Sequence, residues 1–74
     1  VAGAVSQLPN LRQLRLERGL SQPALAKELG MAERTVIRWE NGQSSPVLKD
    51  LISLAKFFEV SVAFLIGETN QRRF

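Results

Sequence analysis

Arg34 and Arg38 stand four residues apart with Ile37 between them, inside a stretch whose spacing predicts a helix from Glu33 to about Asn41. Residues four apart share one helix face, so two like charges there cost an isolated helix about 0.2–0.5 kcal/mol. Ile37 is apolar and β-branched, and it falls on the same side. None of the three helps the helix to form, but together they suit a nucleic-acid groove. A guanidinium is a planar fork of donors that matches guanine O6 and N7, and an apolar side chain meets the methyl group of thymine. Glu33 and Thr35 flank this face. Glu33 has three possible tasks: to accept from cytosine N4, to complement its own helix N-terminus, or to repel phosphate at wrong sites. The alternative reading of the same residues is a solvated helix face with a stray Ile.

The elements around this helix decide how it is held. At roughly 100° per residue Val36 and Trp39 fall together on the side opposite Arg34 and Arg38. Trp39 is therefore read as core and not as a base-stacking group. A three-residue connection, Gly30-Met31-Ala32, separates this helix from the one before it, and so short a turn forces the two to cross steeply. Close approach needs a small side chain, and Ala26 supplies it four residues before Gly30. Ser21 caps that preceding helix, with Pro23 tolerated in its first turn and Leu25 and Leu29 on its buried side. A first helix follows Asn10 as cap, buries Leu11 and Leu14, and ends at Gly19 in a left-handed cap. After the polar loop Gln43-Ser44-Ser45, Pro46 opens a fourth helix with a wide apolar stripe of Leu48, Leu51, Ile52, Ala55 and Phe58. Ser61 caps a short fifth helix carrying Leu65. No stretch alternates long enough to suggest a strand.

Composition narrows the function classes. The 74 residues allow one small domain, and 45% apolar content is that of a globular chain. The sequence contains no Cys and no His, which removes disulfides, thiolate metal sites, the commonest metal ligand and the commonest general base. No cofactor and no small-molecule substrate is indicated. No apolar run is long enough for a membrane span, and Val1 to Val5 lacks the length and basic flank of a signal peptide. The reading is of a cytoplasmic, non-enzymatic chain. Its net charge of +3 is compatible with nucleic acid without requiring it.

Several stretches in fixed order go further: Leu11-Arg12-Gln13-Leu14-Arg15, Gly19-Leu20-Ser21-Gln22, Leu25-Ala26, Glu40-Asn41-Gly42, Pro46 and Leu54-Ala55. From Leu11 to Leu65 the chain resembles the phage repressor and Cro-like (XRE-type) helix-turn-helix family. The resemblance implies an all-α, compact five-helix, lambda-repressor-like domain with its third helix in the major groove of double-stranded DNA. It implies base contacts by Glu33, Arg34, Thr35, Ile37 and Arg38. It implies phosphate contacts by Ser21 and Gln22 at the start of the second helix, and by Asn41, Gln43 and Ser44 after the third. It also implies a structural ion pair between Arg15 and Glu40. Four positions depart from the family pattern. Ala32 replaces the usual hydroxyl cap of the third helix. Val47 replaces one at the fourth, where Ser45 with Pro46 as the first helical residue is the expected substitute. Glu59 stands where relatives often have Gly, and the loop after Gly42 lacks the usual Lys or Arg.

A homodimer on an inverted repeat follows from the family and from the few base pairs that one short helix can read. Phe64 and Ile66, in the region of the fourth and fifth helices, are the expected dimer surface, with Phe57 and Phe58 divided between core and interface. Residues 1–9 read as an N-terminal segment, 10–66 as the DNA-binding domain and 67–74 as a C-terminal tail, with Arg72 and Arg73 solvated and Phe74 available to a partner. The competing class is a helical protein-interaction module that uses Arg34, Ile37 and Arg38 on an acidic partner.

Overall fold

A computed structural model describes residues 8–73. They form five helices: α1 (Leu11–Glu17), α2 (Gln22–Leu29), α3 (Glu33–Glu40), α4 (Leu48–Phe58) and α5 (Val62–Leu65). No strand occurs among the described residues, as expected for an all-α domain. The readings placed on Val1 to Val5 and on Phe74 lie outside the described residues.

All five helices stop in the same way. The residue after the one that follows the last turn donates its N–H back five positions, as Met31 does to the Ala26 carbonyl at 2.9 Å and Val60 to that of Ala55 at 2.9 Å. This closure needs one residue in the left-handed region. Gly30 supplies it after α2 at φ 69°, and at that angle the chain can turn within three residues into α3. After α4 the position is held by Glu59 at φ 57°, the one non-glycine with positive φ among the described residues. The turn thus forms without the Gly that relatives often have there, with a side chain in a conformation that costs about 1–2 kcal/mol.

The helix starts differ more from expectation. Ser21 and Ser61 cap as read, their Oγ atoms accepting from Ala24 N at 3.1 Å and Phe64 N at 3.0 Å. Asn10 precedes α1 but does not cap it with its side chain; its Nδ2 donates instead to the Phe64 carbonyl at 2.6 Å, tying α1 to α5. Pro46 does not open α4. The helix begins at Leu48 with extended Val47 at the N-cap and no side-chain cap, while Pro46 is buried two residues earlier. An apolar ring that finds a place in the core outweighs the gain from a first-turn proline.

The core gathers Leu8, Leu11, Leu14, Leu25, Ala26, Val36, Trp39, Leu54, Ala55, Phe58, Phe64 and Leu65 from all five helices and the segment before α1. The apolar stripe of α4 is narrower than its sequence suggests. Leu54 is fully buried, but Leu48 is 68% and Ile52 40% exposed. Only the arc through Leu51, Leu54, Ala55 and Phe58 faces the core, and Leu48 and Ile52 fall just outside it. Phe64 is likewise buried, which leaves little of it for the expected dimer surface, whereas Ile66 is half-buried. Phe57 is half-buried, with the Arg18 guanidinium 5.2 Å from its ring centre.

The C-terminal residues are not a freely solvated tail. Arg72 forks onto Glu17 of α1 with two bonds of 2.7 Å and lies 5.3 Å from the Phe64 ring centre. Its carbonyl accepts from Ser61 N, and Arg73 donates to Glu59. The fork on Arg72, with help from Gln13, lowers the Glu17 carboxyl from 4.5 to about 2.

Candidate nucleic-acid interface

α2 and α3 are the most closely packed helix pair, and that packing presents the candidate site. Ala26 is 2% exposed at the contact, Val36 is fully buried and Trp39 3% exposed. With those residues held inward, the helical repeat turns Glu33, Arg34, Arg38 and Asn41 outward, and all four are exposed. Thr35 and Ile37 sit half-buried at the edges of the same face. Gln43 and Ser44 continue the exposed surface in the loop that follows.

Arg72, Arg73 and Arg18 are engaged by Glu17 and Glu59, whereas the two arginines of this face are not. Arg34 and Arg38 have no hydrogen-bond or ion-pair partner among the described residues, nor do the side chains of Glu33, Asn41, Gln43 and Ser44. Two guanidiniums therefore carry unneutralised charge and ten free N–H donors between them. The N-terminus of α3 lacks a side-chain cap because Ala32 cannot supply one. Glu33 in the first turn places a carboxylate against that end of the helix dipole.

Behind the face lies a buried polar lock. Arg15 donates from Nε to Glu40 Oε2 at 2.6 Å, from Nη2 to Glu40 Oε1 at 3.0 Å, and from Nη1 to the Leu20 carbonyl at 2.9 Å. The two side chains are 8% and 3% exposed. The pair joins α1, the α1–α2 turn and the last residue of α3, so it fixes the axis of α3 from its C-terminal end. Gln22, the first residue of α2, joins it by donating from Nε2 to Glu40 Oε1 at 3.1 Å. Ser21 is exposed beside it, its Oγ already an acceptor and its O–H still available to donate. The sequence reading missed the tie between Gln22 and Glu40, because nothing in the spacing of residues 22 and 40 signals that they meet. It also missed the exposure of Leu48 and Ile52. No pattern signal separated them, since residues 48, 51, 52 and 55 make the same i, i+3, i+4, i+7 set as residues 51, 54, 55 and 58.

A family model described as helix-turn-helix matches residues 11–65, from the first residue of α1 to the last of α5. The chain belongs to the helix-turn-helix family. Among its relatives, this helix-turn-helix chain is 37% identical over 59 residues to the cryptic phage CTXphi transcriptional repressor RstR of Vibrio cholerae, covering 80% of the chain and 53% of that protein. It is 34% identical over 57 residues to the HTH-type transcriptional activator BcrR of Enterococcus faecalis, covering 77% of the chain and 28% of the activator. It is 40% identical over 52 residues to the HTH-type transcriptional regulator MJ0272 of Methanocaldococcus jannaschii, covering 70% of the chain and 79% of that regulator. The chain thus spans about half the length of RstR and less of BcrR. These relatives are regulators and not enzymes, in agreement with the non-enzymatic reading. No helix among the described residues is long and apolar enough to cross a membrane.

Proposed function

We propose that this chain is a sequence-specific double-stranded DNA-binding domain of a repressor-like transcriptional regulator that works in the cytoplasm. Arg34 and Arg38 carry the reading. They project side by side from a helix locked from behind, and no group among the described residues satisfies them. In the major groove they become the bidentate readers of guanine, with Ile37 against a thymine methyl and Glu33 and Thr35 at the flanks. Ser21 and Gln22 on one side, and Asn41, Gln43 and Ser44 on the other, hold the phosphates that bracket the groove. Because that second segment is uncharged, binding depends less steeply on salt than it would with Lys or Arg there.

The domain works as a homodimer on an inverted repeat. Its extents of 30 × 27 × 22 Å leave room for two copies side by side over half-sites ~34 Å apart. The exposed apolar face of α4, Val47, Leu48 and Ile52, replaces buried Phe64 as the surface that supports pairing. The test is selection of bound sites from a random duplex pool, followed by binding at rising salt. One enriched, two-fold symmetric motif with affinity falling as salt rises supports the proposal. Equal binding to every sequence, or preference for acidic proteins over duplex, refutes it.

A further inference from the structure

The start of α2 is poor in backbone donors for a helix that is to hold a phosphate. Pro23 has no N–H. The Ala24 N–H is taken by Ser21 Oγ at 3.1 Å, and the Leu25 N–H by the Ser21 carbonyl at 3.0 Å. Of the first-turn donors only the backbone N–H of Gln22 is left. The remaining donor at this point is the Gln22 side-chain amide, and its orientation is decided by Glu40. A carboxylate only accepts, so the amide must turn its nitrogen, and not its oxygen, toward Glu40 Oε1. One of the two Nε2 hydrogens is spent there at 3.1 Å. The second has no partner among the described residues, and Gln22 is part-exposed at the start of α2. Arg15 neutralises Glu40 with bonds of 2.6 and 3.0 Å, so the carboxylate can sit behind this donor pair without repelling an anion in front of it.

Resting on the DNA-binding reading above, we infer that Glu40 is a positioning residue for the DNA backbone: through the Gln22 amide it aims a neutral N–H at a phosphate. The ion pair that holds α3 in place therefore also sets the register of α2 on the duplex. Its two tasks are separable, because orientation of the amide needs the acceptor on Glu40 whereas packing does not.

The experiment is a cycle on the full chain with a mixed-sequence duplex at low salt as probe. Gln22→Met keeps the length of the side chain and removes the donor. Arg15→Met with Glu40→Met removes the acceptor and its counter-ion together, an exchange that cores often tolerate. In the unaltered background Gln22→Met weakens duplex binding about tenfold or more, as for one hydrogen bond to a charged group. The slope of affinity against salt stays unchanged, since a neutral donor releases no counterion. In the double-Met background the same substitution changes affinity less than about twofold. Equal losses in both backgrounds would show that Glu40 does not position Gln22, and no loss in either would show that Gln22 does not touch the duplex. Both results overturn the inference while leaving base reading by Arg34 and Arg38 intact. Absence of duplex binding by the unaltered chain removes the inference and the functional reading together. Should the double-Met chain not fold, hydrogen exchange of the Gln22 side-chain amide in the free, unaltered protein decides. One slow and one fast Nε2 hydrogen, the fast one slowing when duplex is added, supports the inference; two fast hydrogens in the free protein overturn it.

Discussion

Glu40→Ala puts the buried lock to the sharpest test. The substitution removes both carboxylate bonds of Arg15 and leaves the guanidinium with one partner, the Leu20 carbonyl at 2.9 Å. The Arg15 side chain is 8% exposed, too little for water to replace a carboxylate that accepted two bonds. Breaking a buried pair from one side costs about 3–5 kcal/mol. The Leu20 carbonyl still accepts one bond from Arg15, so the lower end, about 3 kcal/mol, is the better figure. A domain of this size holds only about 4–11 kcal/mol in total. Its melting temperature moves by ~4–8 °C per kcal/mol, so Glu40→Ala lowers it by about 12–24 °C. Thermal melts followed by far-UV circular dichroism measure this directly. Arg15→Met with Glu40→Met serves as the control and melts within about 1 kcal/mol of the unaltered chain, because apolar replacement of both partners leaves no stranded charge. A Glu40→Ala chain that melts within about 5 °C of the parent would refute the reasoning, since so small a shift corresponds to about 1 kcal/mol or less. So would a double-Met chain that falls as far as the single variant.

Four further outcomes follow from the same geometry. Ala26→Leu forces an isobutyl group into a contact that is 2% exposed, costs about 1–3 kcal/mol by overpacking, and pushes α3 off its axis; melts and duplex binding should fall together. Glu59→Gly relieves a side chain at φ 57° worth about 1–2 kcal/mol and gives up exposed ion pairs worth at most about 1 kcal/mol; the melting temperature should rise by a few degrees. Arg34→Ala should cost about 1–3 kcal/mol of binding and relax preference at one base pair, measured by site selection; uniform weakening on all sequences would exclude base reading. Glu17, lowered to about 2 by Arg72 and then by Gln13, has a folded pKa below its ordinary 4.5. Its contribution is complete above pH 4.5 and is lost as pH falls toward 2, so NMR should see the Arg72 contact persist at pH 4 and release near pH 2, and Arg72→Ala should move the carboxyl titration back toward 4.5.

What was legible in the sequence was local. Ser21 and Ser61 announce caps because a hydroxyl one residue before a helix bonds the same first-turn N–H wherever it occurs. Gly30 followed by Met31 announces a closed helix end for the same reason. The two faces of α3 follow from the helical repeat, which assigns Val36 and Trp39 to one side and Arg34 and Arg38 to the other. Where prediction failed, a distant partner competed with the local rule. Asn10 has the chemistry of a cap, yet the Phe64 carbonyl 54 residues away takes its donor. Pro46 suits a first helical turn, yet the core takes its ring. Phe64 and Leu48 are both large and apolar near the chain's second half, and only the direction of α4 relative to α1 and α5 buries the first and exposes the second.

Short helices joined by tight turns, one with a basic outer face, could be read from residues 11–65 alone, because caps, turns and helical periodicity act within a few residues; the family came from the resemblance of its ordered motifs. Only the fold brings Arg15 and Gln22 to one carboxylate, returns Arg72 to Glu17, and leaves Arg34 and Arg38 without a partner among the described residues. Those outcomes depend on which side chains are brought within about 3 Å of one another across the fold, and hydrogen bonds and ion pairs lose their strength beyond that reach.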